Sequence, residues 1–174
     1  MKKVHLLLLL MLFCTRSVPA QNSSTVIKTE ALKMARALAA LDIETYVSFT
    51  YPTLISDEAS KQKMKQGIDS VEKYKKQFGI KVKSILVGNP SKVVTHKKIM
   101  QCTLPQIMTV EVMMGTVETE TTLVGLSHDG KKWYFVDALL YKQKDSKDKL
   151  PELSPDLVIP PMKQPIMKPA DSKN

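Results

Sequence analysis

Between residues 25 and 55, apolar positions recur at spacings of three and four. Ile27, Ala31, Met34, Leu38 and Leu41 fall on one helical face, with Lys28, Lys33 and Arg36 largely elsewhere. Residues 35–40 add strong helix propensity. Asp42 can cap a fresh start, which predicts a break there. A second piece carrying Tyr46, Val47 and Phe49 then runs from Ile43 to about Thr50 and ends before Pro52. Ser60 is the expected N-cap of the next helix. Met64, Ile68, Val71, Tyr74 or Lys75, and Phe78 form its apolar stripe, and Gly79 stands where a left-handed cap is expected. Its opposite face holds Lys61, Lys65, Lys73 and Lys76, a pattern that reads as a solvated surface.

From Ile80 the period changes to two. Ile80, Val82, Ser84 and Leu86 alternate with Lys81, Lys83 and Ile85 until Gly88, Asn89 and Pro90 close the strand. Residues 98–114 read as a second strand, expected to bulge, bend or lie on an edge at Pro105 because proline cannot donate to a ladder. Residues 116–127 are rich in threonine and valine and read as a third strand. Asp129-Gly130 signals a tight hairpin into a fourth strand at residues 131–141, centred on Trp133, Tyr134, Phe135 and Val136. Residues 142–149 carry charges with no apolar face, and prolines follow at 151, 155, 160, 161, 165 and 169. This reads as an extended tail, with Leu153, Leu157, Val158 and Ile159 able to dock and disorder expected beyond Pro161.

The start of the chain has its own pattern. Lys2 and Lys3 precede an apolar run at residues 4–13, too short to span a bilayer of about 30 Å as a helix. Val18-Pro19-Ala20 follows, so residues 1–20 read as a secretory signal cut near Ala20, with export to the periplasm or the medium. Lipidation at Cys14 is the alternative, disfavoured by the bulky Leu12 and Phe13 before it. Three regions result: a signal at 1–20, a domain at 21–141, and a charged then proline-rich tail at 142–174.

The chain has 174 residues, of which 43% are hydrophobic and 25% charged, as in ordinary globular domains. Loss of Lys2, Lys3 and Arg16 with the signal takes the net charge from +9 to +6. The lysines are dispersed, without aromatic interleaving, which argues against nucleic acid; weak attraction to anionic envelope surfaces is compatible with them. Cys102 is then the only cysteine, so an internal disulfide is excluded, and it reads as a small buried apolar residue. Met100, Met108, Met113 and Met114 beside Cys102 suggest a soft copper site. However, adjacent Met113 and Met114 point to opposite faces of a strand, so they read as core filler, and no metal or cofactor is expected.

Helices followed by four antiparallel strands make an α+β layout. The order, the helix broken near Asp42 and the closing hairpin TTLVGLSHDGKKWYFVD resemble the nuclear transport factor 2-like (cystatin-like, SnoaL-like) superfamily, in particular its small exported bacterial proteins. The resemblance covers roughly residues 25–141. It implies a cone: a curved four-stranded sheet with the N-terminal helices packed in its concave face, enclosing a pocket. Members include isomerases and dehydratases as well as proteins that bind ligands or partners. The isomerases need a carboxylate base facing an acidic hydrogen-bond donor in an apolar pocket. No stretch matches either enzyme motif residue by residue, so no catalytic role is carried over.

A two-residue turn at Asp129-Gly130 would pair Leu126 with Trp133, Val124 with Phe135 and Thr122 with Asp137, all on one sheet face. Ligand-binding candidates are therefore Val124, Leu126, Trp133, Phe135 and Asp137, with Tyr46 and Tyr51 from the helices. Asp137 is the candidate general base, or else a strand-end residue bonded to local backbone. Glu111, Glu118 and Glu120 read as solvent-facing strand positions, and His96 and His128 as loop residues. The expected function is a non-catalytic module binding a small apolar or amphipathic molecule. An isomerase, dehydratase or hydrolase using Asp137 with a tyrosine is one alternative. A homodimer or partner interface on the open sheet face is the other.

Overall fold

The computed structural model describes residues 20–170. Residues 1–19, which hold most of the expected signal and the alternative lipidation site Cys14, lie outside the described residues. The chain folds as α+β around an antiparallel open sheet of six strands. Helix α1 (Ala20–Ala40) ends where Leu41 takes a left-handed backbone, and α2 (Ile43–Phe49) begins at once. Asp42 makes that restart possible: its side chain accepts from the Thr45 N–H at 3.1 Å. A short 3-10 turn (Pro52–Ile55) leads to α3 (Glu58–Phe78). Its cap is Asp57 rather than Ser60. The Asp57 carboxylate accepts from both the backbone N–H and the hydroxyl of Ser60, and these bonds hold its pKa down at about 2. Gly79 ends α3 at a φ of 61°, where a β-carbon would be strained.

The sheet is built on a long hairpin, β3 (Ile99–Val112) with β4 (Gly115–Ser127). Two shorter strands line each outer edge. β1 (Lys81–Val87) and β2 (Val94–His96) pair with β3, while β5 (Tyr134–Asp137) and β6 (Ile166–Pro169) pair with β4. The expected four strands are therefore six. Pro105 stays in register opposite Thr122 with no bulge or bend, and of the expected alternatives it takes the edge position. Its carbonyl accepts from the Gly88 N–H just beyond the end of β1, so the donor it lacks faces the place where that ladder stops. The irregularity lies in β1 instead, between Val82 and Ser84.

Each sheet face carries its own core. α1 and α2 fill one with Ile27, Ala31, Met34, Ala35 and Phe49 against Cys102, Leu104, Leu123, Trp133 and Phe135. On the other, Tyr51, Val124, Leu126, Val136, Ala138 and Leu150 pack together, joined by Leu153, Leu157 and Ile159 from the C-terminal segment. This segment includes a 3-10 turn (Ala138–Lys142) and the one-turn α4 (Lys144–Lys147). It is latched by Gln101, whose fully buried amide donates to the Glu152 carbonyl at 2.8 Å and accepts from the Ser154 N–H at 2.9 Å. Leu153, Leu157 and Ile159 thus dock, whereas Val158 stays exposed. Residues 166–169, expected to be disordered, form β6, all four of them exposed.

β6 depends on a glycine. Gly115 opens β4 at a φ of 141°, and a β-carbon there would stand 2.1 Å from the Lys168 carbonyl oxygen. Gly115→Ala should therefore detach β6 while leaving both cores intact. The expected result is faster tryptic cleavage at Lys163, Pro169 barring cleavage after Lys168, with little change in the melting of the rest. Unchanged cleavage would contradict this role for β6.

Candidate functional site

The hairpin between β4 and β5 decides which side chains can meet. β5 pairs one residue out of the expected register: Leu126 faces Tyr134, Gly125 faces Phe135, Val124 faces Val136, and Leu123 faces Asp137. The cause is side-chain chemistry in the loop. The Ser127 hydroxyl donates to the Lys132 carbonyl at 2.6 Å and accepts from the Gly130 N–H at 2.9 Å. The Asp129 carboxylate accepts from the N–H groups of Lys131 and Lys132. These bonds favour a six-residue loop over a two-residue turn. A slip of one residue reverses the facing of one strand relative to the other.

The proposed single face is therefore two. Trp133 and Phe135 lie under α1, and Val124 and Leu126 lie under the C-terminal segment. Tyr46 packs on the first side and Tyr51 on the second. Tyr51 meets His128, hydroxyl to Nε2, at 3.2 Å, and its ring stands edge-on to Tyr134. Tyr46 thus joins Trp133 and Phe135, Tyr51 joins Val124 and Leu126, and Asp137 stands near enough to Tyr46 for its charge to be felt. Burial raises the pKa of Tyr46, and the nearby Asp137 charge raises it further.

Asp137 ends β5 and caps the following 3-10 turn by accepting from the Leu139 N–H at 2.8 Å. Burial raises the pKa of its carboxyl, and the capping bond opposes that shift. It lines a cleft at a gap in the sheet edge. β5 reaches β4 as far as Leu123, and β6 reaches it as far as Glu118. Between these points, residues 119–122 have no strand partner on that edge among the described residues. The matching gap on the β3 edge is closed by bonds from Gly88 and Ser91 to the carbonyls of Pro105 and Thr103. The β4 gap is instead roofed by residues 159–163, with Lys163 paired to Glu120 at 2.7 Å. The enclosed space is about 30 Å³, room for about one or two waters. Its walls mix Asp137, Glu120 and Lys142 with Leu139, Ile159 and Met162.

The other reactive groups are occupied or silent. Burial pushes the Cys102 thiol up to about 12, so it is not a thiolate at neutral pH. His96 and Lys97 both pair with Glu152. Lys83 holds Glu111 at 2.5 Å, and Lys168 holds Glu118 at 3.4 Å. Among the described residues, no group of three or more His, Cys, Asp or Glu is placed to hold a metal ion. No helix among them is long and apolar enough to cross a membrane. Gln101 and the β4 gap escaped the sequence reading. A lone glutamine between Met100 and Cys102 in a buried strand was the available sign of the first, and the second had none.

Compared with family models, with curated proteins and with solved structures, the chain matches none.

Proposed function

We propose that this protein is an exported, non-catalytic binding module of the nuclear transport factor 2-like type. It holds a small amphipathic molecule in the cleft at the open edge of β4, against Asp137. The observation that carries this reading is the half-buried Asp137 in a cleft whose walls are part apolar and part charged, as ligand sites commonly are. A cone fits the placement of α1 and α2 over one face of the sheet. Residues 21–141 would be its body, and the C-terminal segment would roof the site. The space would widen by moving residues 159–163, which cross the gap without belonging to a helix or strand.

Binding is favoured over catalysis because the Asp137 carboxylate already accepts a backbone bond, and its raised pKa makes Tyr46 a weaker acid than a free phenol. A homodimer across the second sheet face is disfavoured over β4 and β5, where the C-terminal segment covers that face.

Asp137→Asn separates binding from folding. Asparagine can also cap a helical turn, so the Leu139 bond survives. Because burial raises the folded pKa of Asp137, its contribution to stability is full below the ordinary carboxylate range. That contribution is lost as pH rises through the raised value. Asp137→Asn should therefore be at least as stable as wild type at neutral pH, with the difference closing on acidification, as read by urea unfolding across pH. In a thermal-shift screen of small amphipathic molecules, wild type should be stabilised by a ligand that leaves Asp137→Asn unmoved. An equal response from both would overturn the proposal.

A further inference from the structure

α3 is an amphipathic helix whose apolar stripe has little to rest on. Ile68 is its one buried residue, while Val71, Tyr74 and Phe78 lie exposed, with the last two rings stacked 6.1 Å apart. Lys75 fixes the helix by donating to the Ala39 carbonyl at 2.9 Å. The end of α3 meets the β3–β4 turn. Phe78, Ile80, Val112, Met113 and Met114 line one open apolar groove of about 400 Å³. Met113 is 88% exposed and Met114 70%, two adjacent apolar side chains standing out from a turn. Soluble surfaces rarely leave a contiguous apolar patch uncovered without a use for it.

The charges around this patch name the occupant. Near it, residues 73–83 carry five lysines and no acidic residue, with Lys76 paired to Glu72 and Lys83 to Glu111. Lys81 follows Ile80 of the groove wall and is exposed. A second copy seated there would set lysine against lysine. A protruding pair of methionines beside stacked aromatic rings, with lysines at the rim, suits the interface of an anionic bilayer. There, apolar groups enter the headgroup boundary while lysines meet lipid phosphates.

We propose that the C-terminal half of α3 and the β3–β4 turn dock this protein on an anionic lipid surface. The helix lies in the plane of the interface, and Tyr74, Phe78, Met113 and Met114 enter it.

Vesicle co-sedimentation tests this with the exported chain, its N terminus read by mass. Vesicles of phosphatidylcholine with phosphatidylglycerol should carry the protein down at low salt and release much of it at high salt. Phosphatidylcholine alone should carry far less. The double variant Phe78→Glu, Met113→Glu changes two exposed residues and so should fold. It should bind about tenfold more weakly or worse, whereas Val158→Glu, exposed elsewhere, should bind as wild type does. Three results would overturn the proposal. One is wild type left in the supernatant with both vesicles. Another is a double variant that binds equally well. The third is a dimer in analytical ultracentrifugation that the double variant abolishes.

Discussion

Phe135→Ala is expected to lower the free energy of unfolding by about 3–5 kcal/mol, the usual cost of emptying a fully buried aromatic site. Phe135 is 1% exposed, its strand position pairs with Gly125, and it lies in the core under α1 with Trp133, Leu123 and Met34. The space it leaves cannot easily close, because Gly125 offers no side chain to fill it. The same variant tests the register. Phe135→Ala combined with Met34→Ala should be non-additive, because both empty one cluster. Combined with Leu126→Ala, on the opposite face, the losses should sum to within about 0.5 kcal/mol. Strong coupling between Phe135 and Leu126 in urea unfolding would restore the two-residue turn and place them together.

Gln101→Ala should be nearly as damaging, at about 2–4 kcal/mol, although it removes no large apolar group. Its amide is the latch for the C-terminal segment, satisfying the Glu152 carbonyl and the Ser154 N–H at once. Truncation leaves both without that partner, and each buried unsatisfied group costs about 1–3 kcal/mol. The loss should appear as a lower urea midpoint together with rapid proteolysis after residue 149. A variant that unfolds at the wild-type midpoint, with the tail still protected, would show that apolar docking of Leu153, Leu157 and Ile159 suffices.

These two residues mark the boundary of what the sequence could reveal. The helix break at Asp42, the end of α3 at Gly79 and the start of a strand after Ile80 were legible because each is set by neighbours within a few residues. The expected alternation in that strand fails beyond Val82, where the irregularity turns Ile85 and Val87 to the core and leaves Leu86 exposed. The facing of β5 was not. It turns on Ser127 and Asp129 bonding to the loop backbone, which a dipeptide signal for a tight turn does not contain. The latch was hidden for the opposite reason, since Gln101 meets its partners more than fifty residues further along. Prolines in the tail suggested disorder, yet they are compatible with an extended chain crossing a sheet face. Of the candidate site, Asp137 lies near enough to Tyr46 for its charge to raise the tyrosine's pKa. Val124, Leu126, Trp133 and Phe135 are buried and divided between two cores. The stripe of α3 was visible as spacing, but only the fold shows how little of it is covered.

Native mass spectrometry of the exported chain tests the binding account most directly. The account predicts a reproducible extra mass of a few hundred daltons on wild type, released on denaturation and absent from folded Asp137→Asn. A bare wild-type chain recovered from its natural envelope, or an extra mass that Asp137→Asn retains in full, would contradict it.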